Sequence, residues 1–323
     1  MRTVNTSVFK RAIINKLLIL PFLFLLIQGC MPGYQSEEKE EDKDEMISKP
    51  IKIITTSMEF QTVDTIASGW QTFHYENRSY ENHFFLLDKY PEGKKIADGE
   101  KEVMLAFQKG MDLIIEGKPD EAMAEFGKLP DWYSDVVFMG GSGLISPEKT
   151  AITTLKVEPG YYVMECYVKM ANGMFHSSMG MVKALIVTDD SVRTPPPVPD
   201  VRINVSKTSG IQFKDEINKG EQIFLVNFVE QTVYDNFVGH DVHLVRIEEG
   251  AEINELEKWM NWANPKGLMT PAPQEFTFLG GVNDMPAGNT GYFSADLSPG
   301  SYAFIAEVPE PSKYGLLKRF EVR

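Results

Sequence analysis

The chain has 323 residues, a formal charge of −14 and only two cysteines. So acidic a surface argues against nucleic acid or an anionic membrane surface as the main partner, since both bind through Lys and Arg. The sequence also holds no helix-turn-helix, no phosphate-cradling glycine loop and no paired CxxC of a zinc site.

Residues 1–30 read as an export leader. Arg2, Lys10, Arg11 and Lys16 precede an apolar run over residues 17–27, too short to span a bilayer comfortably and built like a secretory signal. It ends in Ile27-Gln28-Gly29-Cys30, which resembles the bacterial lipobox, so Cys30 is expected to become the lipidated first residue of the mature chain. An uncleaved membrane anchor is the alternative, and both tether the chain to a membrane. The expected location is therefore the cell envelope, at the outer membrane, on its periplasmic or cell-surface side. Residues 31–50 form an acidic tether: positions 37–45 hold seven acids and two bases, which repel one another and cannot bury a core. The same run resembles the surface-export signal of some Gram-negative lipoproteins.

Residues 51–190 read as a strand-rich domain. Ile51-Lys52-Ile53-Ile54 and the stretch 73–75 predict short strands, followed by a strand carrying His83. Between residues 98 and 129 the period changes. Met104, Phe107, Met111 and Ile114 recur at three- and four-residue spacing, giving a helix with one apolar face, and Pro119-Asp120-Glu121-Ala122 opens a second. The charged face of this insert is read as solvated, with docking on the second domain as the alternative.

The stretch 158–187 carries the chemistry. It predicts a strand ending in Cys166, a long loop bearing His176, and a return strand starting just after Met181. Thiolate, imidazole and thioether form a soft donor set suited to copper in both oxidation states. With Cys30 lipidated, Cys166 is the one thiol left in an oxidising compartment, where cysteines usually pair. The bland readings of Cys166 are a packing residue or an accidental free thiol, and they leave His176 and Met181 as coincidence.

Pro159-Gly160, Cys166, His176 and Met181, in that order, resemble the ligand loop of the cupredoxins, the blue-copper β-sandwiches. Four residues separate His176 from Met181, a gap common in that family, and nine separate Cys166 from His176, a long one. The family's remaining histidine lies far upstream on an Asn-containing segment, matched here by Asn77-Arg78-Ser79-Tyr80-Glu81-Asn82-His83. The resemblance implies one type 1 copper held by His83, Cys166 and His176 with Met181 axial, Met179 being the rival axial donor. It implies an all-β fold of two Greek-key sandwiches, the first with the helical insert. The function implied is single-electron transfer between protein redox partners, such as a c-type cytochrome or a copper enzyme. Met170, Met174 and Phe175 then either surround the family's electron port or fill a core.

Thr194-Pro195-Pro196-Pro197-Val198-Pro199 predicts a stiff linker within residues 191–202, and 203–323 repeats the first domain. Pro159-Gly160 recurs as Pro299-Gly300 and Tyr162 as Tyr302, at an offset of 140; Gly180-Met181 recurs as Gly315-Leu316, at 135. His83 is aligned with His243. Ala306 and Leu316 then stand for Cys166 and Met181, so the second copy is expected to hold no copper. Glu165 and Tyr167 flank Cys166 where multicopper oxidases and copper nitrite reductases carry histidine, and only His74, His240 and His243 remain outside the site. The chain is therefore read as no enzyme. His240-Asp241-Val242-His243 is read as a relic of ancestral ligands, with a weak second metal site as the alternative. The rival functions are a copper-trafficking lipoprotein and a structural surface module with a vestigial site.

Overall fold

A computed structural model describes residues 49–323; the leader, Cys30 and nearly all of the acidic tether lie outside the described residues. The described residues belong to one compact unit. Before the proline-rich stretch come β1 (Ile51–Thr55), β2 (Thr65–Asn77), β3 (Leu86–Lys89), β4 (Val137–Gly141), β5 (Thr150–Val157), β6 (Gly160–Glu165) and β7 (Val182–Ser191). After it come β8 (Val201–Ser206), β9 (Gly210–Gln212), β10 (Gly220–Phe228), β11 (Val242–Ile247), β12 (Phe276–Val282), β13 (Thr290–Leu297), β14 (Gly300–Ile305) and β15 (Leu317–Val322).

The chain is all-β in its layers, and each half is a sandwich. β2 is what closes the first one. Its first residues pair in parallel with β7, and from Gly69 onward it pairs antiparallel with β5. Gly69 sits at the change of partner with φ +102, where a Cβ would lie 2.9 Å from the Val192 carbonyl oxygen, so glycine is required. β2 thereby links the layer β4-β3-β6-β7 to the layer β1-β2-β5. Alternation directs Phe73 and Tyr75 from one layer, and Leu87, Tyr162 and Met164 from the other, into one core with no exposure. The second half lays β13-β10-β8-β9 over β12-β11-β14-β15, with Phe224 and Phe293 meeting Phe304 edge-on at 5.6 and 6.4 Å.

The halves share a sheet. β5 pairs antiparallel with β13, Thr153 facing Phe293, its own equivalent at the offset of 140. The Gly140 amide donates to the Asp284 carbonyl and, symmetrically, the Gly280 amide to the Leu144 carbonyl, both at 2.8 Å. Two such reciprocal contacts define an approximate two-fold axis, the signature of an isologous interface.

The helical insert follows β3 as Leu105–Ile115 and Pro119–Phe126, with Pro119 at the start, where its missing amide costs nothing. Gly110 lets the two helices touch: a Cβ there would stand 2.2 Å from the Phe126 ring. Their apolar face docks on the second half, Phe107 and Phe126 meeting Phe237 at 5.8 and 5.4 Å and Trp262 at 5.9 and 6.1 Å. A further helix, Ile253–Met260, buries Leu256, Trp259 and Met260 and was not expected from the sequence. His83 also differs from expectation: it lies before β3 and pairs only with Ile145, through reciprocal amide–carbonyl bonds of 3.1 and 2.7 Å.

Candidate metal centre

β6 ends at Glu165, so Cys166 is the first residue beyond the strand, and β7 starts directly after Met181. The Cys166 amide donates to the Met181 carbonyl at 3.3 Å and the Met181 amide to the His176 carbonyl at 2.9 Å. Between them a 3₁₀ turn, Ser177–Met179, is closed by Gly180 at φ +101, a left-handed conformation natural to glycine. The His176 amide donates to the Val168 carbonyl at 2.8 Å, folding the long loop back on its own strand. His83 is fixed from the other side. Asn77 donates its side-chain amide to the carbonyls of Glu81, at 2.7 Å, and Ile145, at 3.1 Å, and Ile145 is the residue that pairs with His83.

These elements bring three predicted ligands together. Cys166 Sγ lies 3.8 Å from His83 Nδ1 and 3.7 Å from His176 Nδ1, and the two Nδ1 atoms are 3.1 Å apart. All three residues, and Met181, are completely buried, whereas Met179 is 45% exposed. Burial holds the group neutral. It pushes the Cys166 thiol up to about 12, although the Phe84 and Val168 amides bond to the sulfur and oppose the shift. It drives His83 down to about 3, with His176 adding to the effect, and His176 down to about 4. Two unprotonated imidazoles and a thiol are the donors a soft cation takes up, releasing the thiol proton as it binds. The donor set fits copper.

A second buried cluster, Asp241, His243 and Glu307, has the residue types of a metal site but the wrong protons. The Leu144 amide donates to His243 Nδ1 at 2.9 Å, so Nδ1 must be the acceptor and Nε2 carries the hydrogen. That hydrogen goes to Asp241 Oδ2 at 2.8 Å, and Asp241 Oδ1 accepts the Glu307 amide at 2.7 Å. His243 thus has no lone pair to offer, and the cluster is a hydrogen-bond relay between the halves. It reaches the first half through Tyr167, whose hydroxyl donates to Glu307 Oε2 at 3.2 Å.

Strand register corrects the alignment of His83. Leu86 faces Glu165 and His243 faces Ile305, so at the offset of 140 the partner of His243 is Leu86 and the residue matching His83 is His240. His240 is engaged elsewhere, with Nδ1 2.9 Å from the Glu230 carbonyl and Nε2 3.0 Å from the Tyr234 hydroxyl. The other equivalences hold to the backbone bond. The Ala306 amide donates to the Leu316 carbonyl at 2.9 Å and the Leu316 amide to the Pro311 carbonyl at 2.8 Å, as Cys166, Met181 and His176 do in the first half. Alanine, leucine and proline occupy those places, and Ala306 and Leu316 are fully buried.

The second half covers the ligand loop. Lys169 is fully buried, its ammonium bonded to the carbonyls of Trp262, at 2.7 Å, and Asn264, at 2.9 Å, and to Met111 Sδ at 3.2 Å. Burial lowers Lys169 to about 7 against the opposing pull of Glu307. Phe175 packs on Trp262 at 5.6 Å and is 3% exposed, so it belongs to this junction, while Met174 stays 38% exposed. Glu165 and Tyr167, which flank Cys166, and Phe175 and Ser177, which flank His176, line a partly open cavity of about 70 Å³ together with Phe237 and Trp262. Over His176 itself sits Glu81, with Oε2 3.0 Å from Nε2. Neither the Lys169 clamp nor the Glu81 contact was anticipated from the sequence, because no local pattern marks either residue.

No family model matches the sequence, and no curated protein does. Among solved structures the chain is similar to auracyanin A of Chloroflexus aurantiacus, described as a blue copper protein. The identity is 18% over 44% of this chain and 99% of that one, with a TM-score of 0.27. It is similar to the dithionite-reduced auracyanin of Roseiflexus castenholzii at 17% identity, covering 42% and 94% of the two chains, TM-score 0.26. A variant of the McoA multicopper oxidase of Aquifex aeolicus spans more of the chain, 85%, and 65% of its own, at 10% identity and a TM-score of 0.24. At these scores the likeness adds nothing to what strand order and donor geometry already show.

Proposed function

We propose that the chain is a lipid-anchored electron carrier of the blue-copper type. His83, Cys166 and His176 would hold one copper per chain, with Met181 as a weaker fourth donor. The observation that carries this reading is the convergence of two imidazole Nδ1 atoms and one thiol sulfur in a fully buried pocket. Bound copper supplies a one-electron couple. The protein holds the donors in one arrangement for both oxidation states, through the bridge at Ile145 and the folded-back loop, and keeps water out. Electrons pass to and from protein partners outside the cytoplasm, such as a c-type cytochrome or another copper protein, and the chain performs no turnover of its own. Cys30 holds it at the envelope, and the second half serves as a cover for the ligand loop.

Loading the metal-free full chain with copper(II) tests this. An intense blue colour is the expected result. A pale complex would turn the reading to copper trafficking, and no uptake would leave a structural module.

Met181→Leu should retain copper but raise the reduction potential, because losing a weak axial donor disfavours copper(II) relative to copper(I). Met179→Leu should leave the potential unchanged, since Met179 faces solvent. A shift on altering Met179 and none on altering Met181 would transfer the axial role.

A further inference from the structure

Glu81 Oε2 and His176 Nε2 lie 3.0 Å apart, and neither atom has a well-aligned hydrogen-bond partner, the other included. His176 is wholly buried and the Glu81 side chain is 25% exposed, so each atom is the other's natural partner and water has little access between them. The placement is built from both halves. The Glu81 carbonyl is held by the side chains of Asn77, at 2.7 Å, and Ser79, at 3.2 Å. Its carboxyl lies beside Thr270, whose single hydroxyl hydrogen goes to the Lys169 carbonyl at 3.2 Å.

We infer that Glu81 is a positioning residue of the metal centre: it takes the Nε2 hydrogen of His176, fixes the tautomer that leaves Nδ1 free, and lowers the copper potential. A carboxylate on the far nitrogen of a ligating imidazole makes the near nitrogen a stronger donor, which favours the higher oxidation state of the metal. The second half enters through Thr270, so a domain without copper ligands still bears on the potential.

This inference rests on the copper reading above, and the full chain with copper as probe separates the two. Glu81→Gln keeps an acceptor and the side chain's shape but removes the charge. Copper(II) affinity should fall roughly 10–100-fold, the usual effect of losing an outer partner of a ligand. Copper(I) affinity should hardly change, so the potential rises by about 60–120 mV, at 59 mV per tenfold for one electron. Glu81→Asp should recover part of the shift. A wild type that takes no copper would defeat the copper reading itself; a wild type that does, with an unmoved potential in Glu81→Gln, would overturn this inference alone. In the metal-free chain, nitrogen NMR should find the His176 ring hydrogen on Nε2, and finding it on Nδ1 overturns the inference whatever copper does.

Discussion

Cys166→Ser is expected to abolish the blue colour entirely and to weaken copper(II) binding by more than the roughly 10–100-fold that outer-shell changes cost. The thiolate is the only sulfur anion the site can offer, and serine supplies a hard oxygen that keeps its proton. The chain should stay folded. The second half already contains the control: Ala306 occupies the equivalent position, fully buried, with the same backbone bond across the loop. Cys166→Ala should therefore cost about 1 kcal/mol, the range for deleting one buried heavy atom. The serine variant costs somewhat more, because its hydroxyl is buried beside imidazoles. Absorption spectra and denaturant titration read the two effects separately. A blue Cys166→Ser protein would remove Cys166 from the site.

Lys169→Met carries the largest expected loss of stability. The substitution roughly preserves volume but leaves the buried Trp262 carbonyl and the part-buried Asn264 carbonyl without their donor. A buried orphan costs about 1–3 kcal/mol and a part-buried one less, so a loss of roughly 2–3 kcal/mol is expected. The pH dependence has a definite sign. Lys169 titrates at about 7 in the fold, below the ordinary value of 10.5, because burial disfavours its charge while Glu307, facing it from the second half, partly restores it. Between those two values the unfolded chain binds more protons than the folded one. The lysine's contribution therefore makes stability rise with pH from about 7 to about 10.5, and is flat below 7. Lys169→Met should lose that slope. Equal stability of the two proteins would show that the clamp does not hold the second half to the loop.

Much of this was legible because it rests on short-range periodicity. The strand expected to end in Cys166 is β6, which stops one residue earlier at Glu165, and the three- and four-residue spacing from Met104 located the helical insert. Constant offsets identified Ala306 and Leu316 as the apolar stand-ins for Cys166 and Met181. The failures are long-range. His83 was matched to His243 because histidine was matched to histidine, whereas strand pairing, which depends on residues some 60–80 positions away, makes His240 its equivalent. The contact of Glu81 with His176, and the bonds of Lys169 to residues 262 and 264, join segments about a hundred residues apart. No spacing in the sequence encodes them. That the helical insert and the Trp262 loop close over the ligand loop follows from the same kind of contact, and it changes how the protein is best tested. Because β5 and β13 share a sheet, separated halves would expose paired edges, so the whole chain is the proper specimen.

Copper X-ray absorption on the loaded full chain, combined with a metal count, tests the central claim most directly. One copper per chain, with one sulfur and two nitrogens as its nearest neighbours and the sulfur lost in Cys166→Ala, is the predicted result. Two tightly held coppers, or a single one without a sulfur neighbour, would contradict it.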